Sequence, residues 1–80
     1  MKKLIAMPKL SANMENGLLV TLCKQTGDDV QKGDVIFEVE TEKVVSEIES
    51  EEDGKIVKLY FKEGDIIKVD EIIAEIETAE

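Results

Sequence analysis

The sequence predicts an all-β fold, a flattened sandwich with two-fold-like internal symmetry, from three observations. Apolar and charged residues alternate through Phe37-Glu38-Val39-Glu40, which is the period-two pattern of a half-buried strand. Glycine or proline recurs too often for a long helix. A 25-residue segment is repeated further along the chain. The 80 residues correspond to one domain, residues 1–80, with a thin core.

The repeat is the most informative of these observations. Shifting the sequence by 37 residues overlays Gly17–Thr41 on Gly54–Thr78 without a gap, and nine of the 25 pairs are identical. Two copies of a strand–turn–strand unit, neither able to bury its apolar face alone, favour two sheets packed face to face. The symmetry also predicts that the hairpin tip of the first copy and the chain termini occupy equivalent places.

Taken in order, the chain shows six strand patterns separated by turn signals. Pro8 ends the first strand because it lacks an N–H, and a loop over Lys9–Gly17 follows. Gly27-Asp28, Gly33-Asp34 and Gly64-Asp65 are turn signals. A helix over Val69–Glu77 is the weaker alternative, since it lacks a 3.6-residue period. The predicted strands are Lys3–Met7, Leu18–Lys24, Val35–Val39, Val44–Ile48, Ile56–Lys62 and Ile72–Ile76.

The third and fourth of these strands form a hairpin, and Glu42 and Lys43 are predicted at its tip. The turn contains neither Gly nor Asn. An exposed lysine on a hairpin ordinarily serves solubility and edge protection. In the predicted sandwich, however, Lys43 is a side chain held alone at one end of a rigid support.

Composition excludes several classes of function. Nineteen acidic and ten basic residues give a net charge of −9, so nucleic acid and anionic membranes are poor partners and a basic protein surface is a better one. The absence of histidine excludes His-based acid–base catalysis, Ser–His and Cys–His nucleophiles and the usual zinc sites. No metal site is expected.

The single cysteine, Cys23, excludes an internal disulfide and suits a reducing compartment. It lies in an apolar strand run and is predicted to behave as a small core hydrophobe. The segment Met1–Met7 imitates the start of a signal peptide, but it is too short and ends at Pro8, so neither secretion nor a membrane span is predicted.

With these residues in view, the chain resembles the lipoyl domains of 2-oxo acid or acetoin dehydrogenase complexes, within the biotinyl/lipoyl family. The resemblance covers the whole chain and implies a barrel-sandwich hybrid of two four-stranded sheets. In the family a flexible linker begins where this chain ends. The matching segments are Ile5–Ser11, Glu15–Gly17, Gly27-Asp28, Lys32–Asp34 and Glu40–Val44.

The resemblance implies that Lys43 carries lipoic acid through an amide bond. Glu42 and Val44 stand where the family usually has Asp and often has Ala. The loop at Leu10–Asn16 lies near the modified lysine in related domains and helps the decarboxylase to select its carrier, although Leu10 and Met14 could equally cap the core. The residues implied in recognition by the ligase or a partner are Leu10, Ser11, Met14, Gly27, Glu40, Thr41, Glu42, Val44, Glu47 and Gly54.

By the family's mechanism, the lipoyl disulfide accepts an acyl group from a thiamin-dependent decarboxylase. The acyl group passes to coenzyme A at an acyltransferase core, and dihydrolipoamide dehydrogenase reoxidises the dithiol. The domain itself is then a non-catalytic, monomeric carrier, modified by a lipoate ligase or lipoyl transferase. The resemblance implies that it is part of the dihydrolipoamide acyltransferase component, with the flavoprotein component or a free-standing carrier as the alternatives. The bacterial cytoplasm or the mitochondrial matrix is the implied location.

Three alternatives remain at this point. A biotinyl carrier domain shares the fold, but usually flanks its lysine with methionines, which Lys43 lacks. A pure interaction module would bind its partner equally well without Lys43. An enzyme in its own right would need convergent catalytic groups, which the composition hardly offers.

Overall fold

The computed structural model describes residues 1–42 and 44–78, and the described chain consists of strands, turns and loops. The eight strands β1 to β8 span Lys2–Ala6, Asn16–Leu22, Asp29–Val30, Val35–Thr41, Val44–Glu49, Gly54–Leu59, Ile66–Lys68 and Ile72–Thr78. They form two four-stranded sheets of order β1-β8-β6-β3 and β5-β4-β2-β7, with every pair antiparallel. We call the second sheet the hairpin sheet and the first the terminal sheet. The all-β prediction is confirmed.

The repeat predicted from the sequence is a structural two-fold. Exchanging β1 with β5, β2 with β6, β3 with β7 and β4 with β8 converts one sheet order into the other. The irregularity in the β2–β4 ladder between Leu19 and Thr21 recurs in the β6–β8 ladder between Ile56 and Lys58, which are 37 residues further on. Each half therefore repeats the other down to its bulge.

The turns repeat as well. Asp28 accepts a hydrogen bond from the Gln25 N–H at 2.8 Å, and Asp65 accepts one from the Lys62 N–H at 2.9 Å. Such carboxylate-to-backbone bonds satisfy the orphaned N–H groups of a tight turn. The next turn places Asp70, at φ 77°, where the other half has a glycine, so its aspartate occupies a conformation that non-glycine residues seldom adopt.

The core lies between the two sheets and pairs residues across the two-fold. Among the pairs are Leu19 with Ile56, Val30 with Ile67, Ile36 with Ile73, and Val39 with Ile76, all at most 2% exposed. Strands β3 and β7 were not predicted, because two or three residues are too few to show a period. Residues 72–78 form β8, so the helical alternative is wrong.

The chain termini occupy the place that the symmetry predicts. The Thr78 N–H donates to the Met1 carbonyl at 2.8 Å, and the equivalent pair in the other half is Thr41 with Val44. The juxtaposition of Met1 and Thr78 thus corresponds to the two residues that flank the turn of the β4–β5 hairpin.

Candidate functional site

The β4–β5 hairpin is the structural centre of the candidate site. Six residue pairs join its strands, from Val35↔Glu49 to Thr41↔Val44. Only two residues connect Thr41 to Val44, and this pairing confirms the predicted hairpin. Lys43, for which the resemblance implies lipoyl attachment, lies outside the described residues.

The turn is held in an uncommon backbone conformation. Glu42 has φ 47°, in the left-handed region, where a side chain costs about 1–2 kcal/mol relative to a relaxed backbone. Two-residue hairpin turns require this hand of twist, and Gly or Asn usually provides it. Here the β4–β5 ladder imposes it on an acidic residue, as expected where surrounding structure over-determines a functional turn. Both Glu42 and Val44 are exposed.

The base of the hairpin packs against the start of β2. A Cβ placed on Gly17 would lie 2.6 Å from Cγ1 of Val39 and 3.3 Å from Cγ2 of Thr41, so a side chain has no room there. Only glycine lets β2 approach the end of β4 this closely. This contact fixes the position of Thr41, the last residue before the turn.

A cleft of about 350 Å³ lies beside the hairpin. It brings the three predicted hairpin residues Glu40, Thr41 and Glu42 together with a fourth predicted residue, Met14, in the loop that precedes β2. The complete lining is Asn13, Met14, Glu15, Asn16, Gly17, Leu18, Glu40, Thr41, Glu42 and Ile66.

Of the two apolar loop residues, one is core and the other is surface. Met14 is 7% exposed and belongs to the core cluster, so its structural role is that of a cap on the thin core. Leu10 is 38% exposed, and its N–H donates to Sδ of Met14 at 3.1 Å. Ser11 is exposed, and its carbonyl accepts the Met14 N–H at 3.2 Å. Leu10 lines a second cleft, which also includes Glu47.

The remaining acidic candidates surround the hairpin on its outer face. Glu47 is exposed and faces Glu38 across the β4–β5 ladder, while Glu40 is half-buried. Like charges directly opposite each other on adjacent strands repel and are destabilising. The result is a strongly negative face beside the turn.

Cys23 borders this face, and the prediction that it packs in the core is wrong. Strand β2 ends at Leu22, and the Cys23 thiol is exposed. Partial desolvation, together with the carboxylates of Glu38, Glu47 and Glu63, raises the pKa of the thiol. A raised pKa makes the thiol less nucleophilic at neutral pH, since only the thiolate reacts.

Two predicted glycines lie away from the hairpin. Gly54 pairs with Thr78 and Val30 in the terminal sheet, where a Cβ would collide with the Glu77 carbonyl. Gly27 has φ 97° and open space around it, so its turn requires glycine for its conformation. Both residues therefore have structural roles.

Sequence reasoning missed two apolar residues of the site. Leu18 and Ile66 face each other across the β2–β7 ladder and line the cleft with Glu40. The signal that could have found them is a difference between the two copies of the repeat. At the position of Leu18 the second copy has Lys55, and at the position of Ile66 the first copy has Asp29.

The described residues gather no group of three or more acidic or cysteine side chains that could hold a metal ion. Residues 1–42 and 44–78 also include no helix long and apolar enough to cross a membrane.

Residues 3–76 match the Biotin_lipoyl family, described as "Biotin-requiring enzyme". The chain belongs to this family, which confirms the resemblance found in its sequence motifs.

Within the family, the chain is similar to lipoyl domains. The solution structure of the lipoyl domain of the 2-oxoglutarate dehydrogenase complex from Azotobacter vinelandii superimposes with a TM-score of 0.79 and 30% identity, covering 92% of this chain and 94% of that one. Lipoyl domains carry lipoic acid covalently on a lysine, and the interpretation as a lipoyl carrier is favoured over that as a biotinyl carrier. Such a domain is a non-catalytic carrier.

The curated relatives support the same assignment. The dihydrolipoyllysine-residue succinyltransferase component of the Staphylococcus saprophyticus 2-oxoglutarate dehydrogenase complex is 40% identical over 88% of this chain. The acetyltransferase component of the Rhizobium meliloti pyruvate dehydrogenase complex is 41% identical over 88%. The chain spans 16% of the length of each. Kluyveromyces lactis urea carboxylase, at 22% identity and a TM-score of 0.80 over 96% of this chain and 6% of its own, shares the fold.

Proposed function

We propose that Lys43 is the lipoyl attachment residue and that the domain carries acyl groups for a 2-oxo acid dehydrogenase complex. The observation that supports this most directly is the hairpin. Its strands pair up to Thr41 and Val44, leaving a connection of only two residues, of which Lys43 is the second. The lysine aligns with the modified lysine that the lipoyl-domain resemblance implies.

The surroundings of the turn fit such a group. Glu42 and Val44, the two residues that flank Lys43 in the sequence, are exposed and accessible to a modifying enzyme. The sequence contains one cysteine, Cys23, and its thiol has a raised pKa, which makes it a poor source of reactive sulfur at neutral pH. A bound lipoyl group would supply a redox-active disulfide able to take up an acyl group.

The chain's own contribution is position. The six-pair ladder and the close approach of Gly17 to Thr41 hold the turn, and the left-handed Glu42 sets the direction in which the chain leaves β4. Amide formation removes the positive charge of the lysine side chain. The modified arm would then bring no cation into an apolar active-site channel of a partner enzyme. Tethering raises the effective concentration of the carrier at each active site.

Relatives indicate the setting. Because two of them are acyltransferase components, we infer that the parent is a dihydrolipoamide acyltransferase. A thiamin-dependent decarboxylase would load the domain and dihydrolipoamide dehydrogenase would reoxidise it. We infer a reducing location, the bacterial cytoplasm or the mitochondrial matrix, on the basis of the lone free thiol.

Intact mass after co-expression tests the proposal. Co-expression with a lipoate ligase should add one lipoyl group per chain, which peptide mapping places on Lys43, and a biotin ligase should add nothing. The Lys43→Gln variant, as the control, should remain unmodified. Biotinylation of Lys43 would favour the biotinyl alternative, and partner binding with no modification at all would favour an interaction module.

A further inference from the structure

The internal two-fold allows each sheet to serve as a reference for the other. On the outer face of the hairpin sheet, Val45, Glu40, Leu18 and Ile66 are neighbours across the four strands β5, β4, β2 and β7. Val45 is 52% and Ile66 60% exposed. We call these four residues the cross-strand row.

The equivalent row on the terminal sheet has a different chemistry on the same backbone. It consists of Lys2, Glu77, Lys55 and Asp29, paired in the same register. Charges of opposite sign alternate along it. The fold therefore accepts a fully charged row at these positions, and the apolar residues of the hairpin sheet are not required for folding.

The difference extends to the carboxylates. On the terminal sheet, Glu75 lies 3.7 Å from Nζ of Lys2 and also accepts a hydrogen bond from the Tyr60 hydroxyl. The hairpin sheet has Glu38 in place of Glu75 and Val45 in place of Lys2. Among the described residues, no basic side chain lies within ion-pair distance of Glu38 or Glu40.

The hairpin sheet thus presents an apolar strip interrupted and bordered by carboxylates. Four strands spaced at about 4.8 Å make a strip about 14 Å wide, which is the scale of the centre of a protein–protein contact. Exposed apolar surface grouped in this way, with a polar border, is typical of an interaction site.

We propose that the cross-strand row is the docking surface for the enzyme that attaches the lipoyl group. That enzyme would meet the row with an apolar centre and place basic side chains against Glu38 and Glu40. This inference rests on the proposed function of Lys43.

Geometry favours the attaching enzyme over the acyl donor. The attaching enzyme must bring its own active site to the lysine amine, so it has to cover the surface next to the turn. Val45 is two residues from Lys43, and Glu40, Leu18 and Ile66 line the cleft beside Glu42. The acyl donor is reached through the longer modified arm and has no such obligation.

Charge disfavours a second copy of this chain as the occupant. The protein carries a net charge of −9, and two copies meeting through this face would oppose Glu38, Glu40 and Glu47 to themselves. Like charges across an interface cost several kcal/mol.

The experiment replaces the apolar residues of the row with neutral polar ones. Val45→Thr, Leu18→Thr and Ile66→Thr are combined, because threonine keeps a strand-forming shape and the net charge. The control carries Lys2→Thr, Lys55→Thr and Asp29→Thr at the equivalent positions of the terminal sheet, which changes the net charge by one unit, from −9 to −10. Thermal unfolding and amide spectra establish that both variants are folded.

Two measurements follow, both with a purified lipoate ligase. In the first, KM and kcat are determined for the unmodified domain. In the second, the Kd of the Lys43→Gln domain is measured by calorimetry, so that binding is observed without any modification. We expect the hairpin-sheet variant to raise KM and Kd at least tenfold with kcat nearly unchanged, and the control to stay within about twofold.

The outcomes separate the two proposals. Complete lipoylation of native Lys43 combined with unchanged Kd in the hairpin-sheet variant would overturn the docking surface and leave the proposed function intact. Equal weakening by the control would also overturn it. A native domain that sediments as a dimer through this face would identify a second copy as the occupant instead. Absence of lipoylation in the native domain would refute the proposed function itself.

Discussion

Replacing glycines 17, 54 and 27 by alanine should separate packing from recognition at positions that the sequence presents alike. A Cβ on Gly17 would meet side chains, with Cγ1 of Val39 at 2.6 Å. Overpacking of this kind costs about 1–3 kcal/mol, and the lower entropy of the unfolded alanine chain offsets about 0.5–1 kcal/mol. We expect Gly17→Ala to lower the free energy of unfolding by about 1–2 kcal/mol.

Gly54→Ala should be more destabilising, although Gly54 is the equivalent residue of the second repeat. The atom nearest its Cβ belongs to the backbone of Glu77, and Cγ2 of Ile76 lies at 2.7 Å. The backbone of Glu77 cannot move aside without breaking its pairing with Lys55 near the end of the β6–β8 ladder. A loss of about 3 kcal/mol or more is expected, which is a quarter or more of the stability of a domain this size.

Gly27→Ala isolates the conformational contribution. Nothing lies within 4 Å of its Cβ position, so only the positive φ of 97° opposes a side chain, at about 1–2 kcal/mol. Urea unfolding gives all three free energies, with an unchanged m-value showing that the comparison is sound.

Lipoylation of the folded proteins then distinguishes the glycines by function. Gly17→Ala should be modified more slowly, because its Cβ displaces Thr41 at the base of the turn. Folded Gly54→Ala and Gly27→Ala should be modified at the native rate, since their contacts lie away from the hairpin. Slow modification of a folded Gly54→Ala protein would refute the packing explanation and show that the ligase reads Gly54 directly.

Three further predictions follow from the site. Combining Lys43→Gln with either Glu42→Lys or Val44→Lys should abolish nearly all lipoylation in a folded protein, because one residue's shift re-aims the amine; efficient modification on peptide mapping would mean that the ligase reads a flexible loop. Cys23→Ala should change the free energy of unfolding by less than about 0.5 kcal/mol and leave lipoylation and acylation intact. In a protein that retains Cys23, Glu38→Gln should lower the pKa of the thiol and speed its alkylation at pH 8, because a larger thiolate fraction is then present. An unchanged alkylation rate would contradict the electrostatic origin assigned to part of the pKa shift. Acylation by a thiamin-dependent decarboxylase at limiting carrier should slow as salt rises from low ionic strength to 0.5 M. The reason is that exposed charges more than about 10 Å apart are already largely screened at 0.1 M, which weakens long-range attraction between the two proteins. A rate that does not change with salt would exclude steering by the acidic face.

The fold was predictable because its signals are periodic and repeated. Alternation located β4 and β5 to within two residues, and the 37-residue shift predicted the two-fold before any strand pairing was known. The short strands β3 and β7 escaped because each is set by its neighbours: Val30 by pairing with Gly54, and Ile67 by pairing with Gly17. Pairing between distant segments leaves no local pattern in two or three residues.

The candidate site was predictable only in part, and for a different reason. A loop methionine has the same composition signal whether it caps a core or binds a partner, and only packing places Met14 inside. Cys23 lies within the predicted strand Leu18–Lys24, yet the observed strand ends one residue before it, at Leu22. Burial at the end of a strand depends on where the ladder stops, which hydrophobicity alone does not encode.

Symmetry within the chain offers a way to separate residues kept for folding from residues kept for function. Where the two halves agree, as at Gly17 and Gly54 or at Asp28 and Asp65, the shared backbone explains the shared residue. Where identical backbone carries different chemistry, folding cannot be the cause, since one half shows what folding alone accepts. By this reasoning, the presence of Val45 at the position where the other half has Lys2 carries functional information. The exposure of Val45 alone would not, because an isolated surface valine is ordinary.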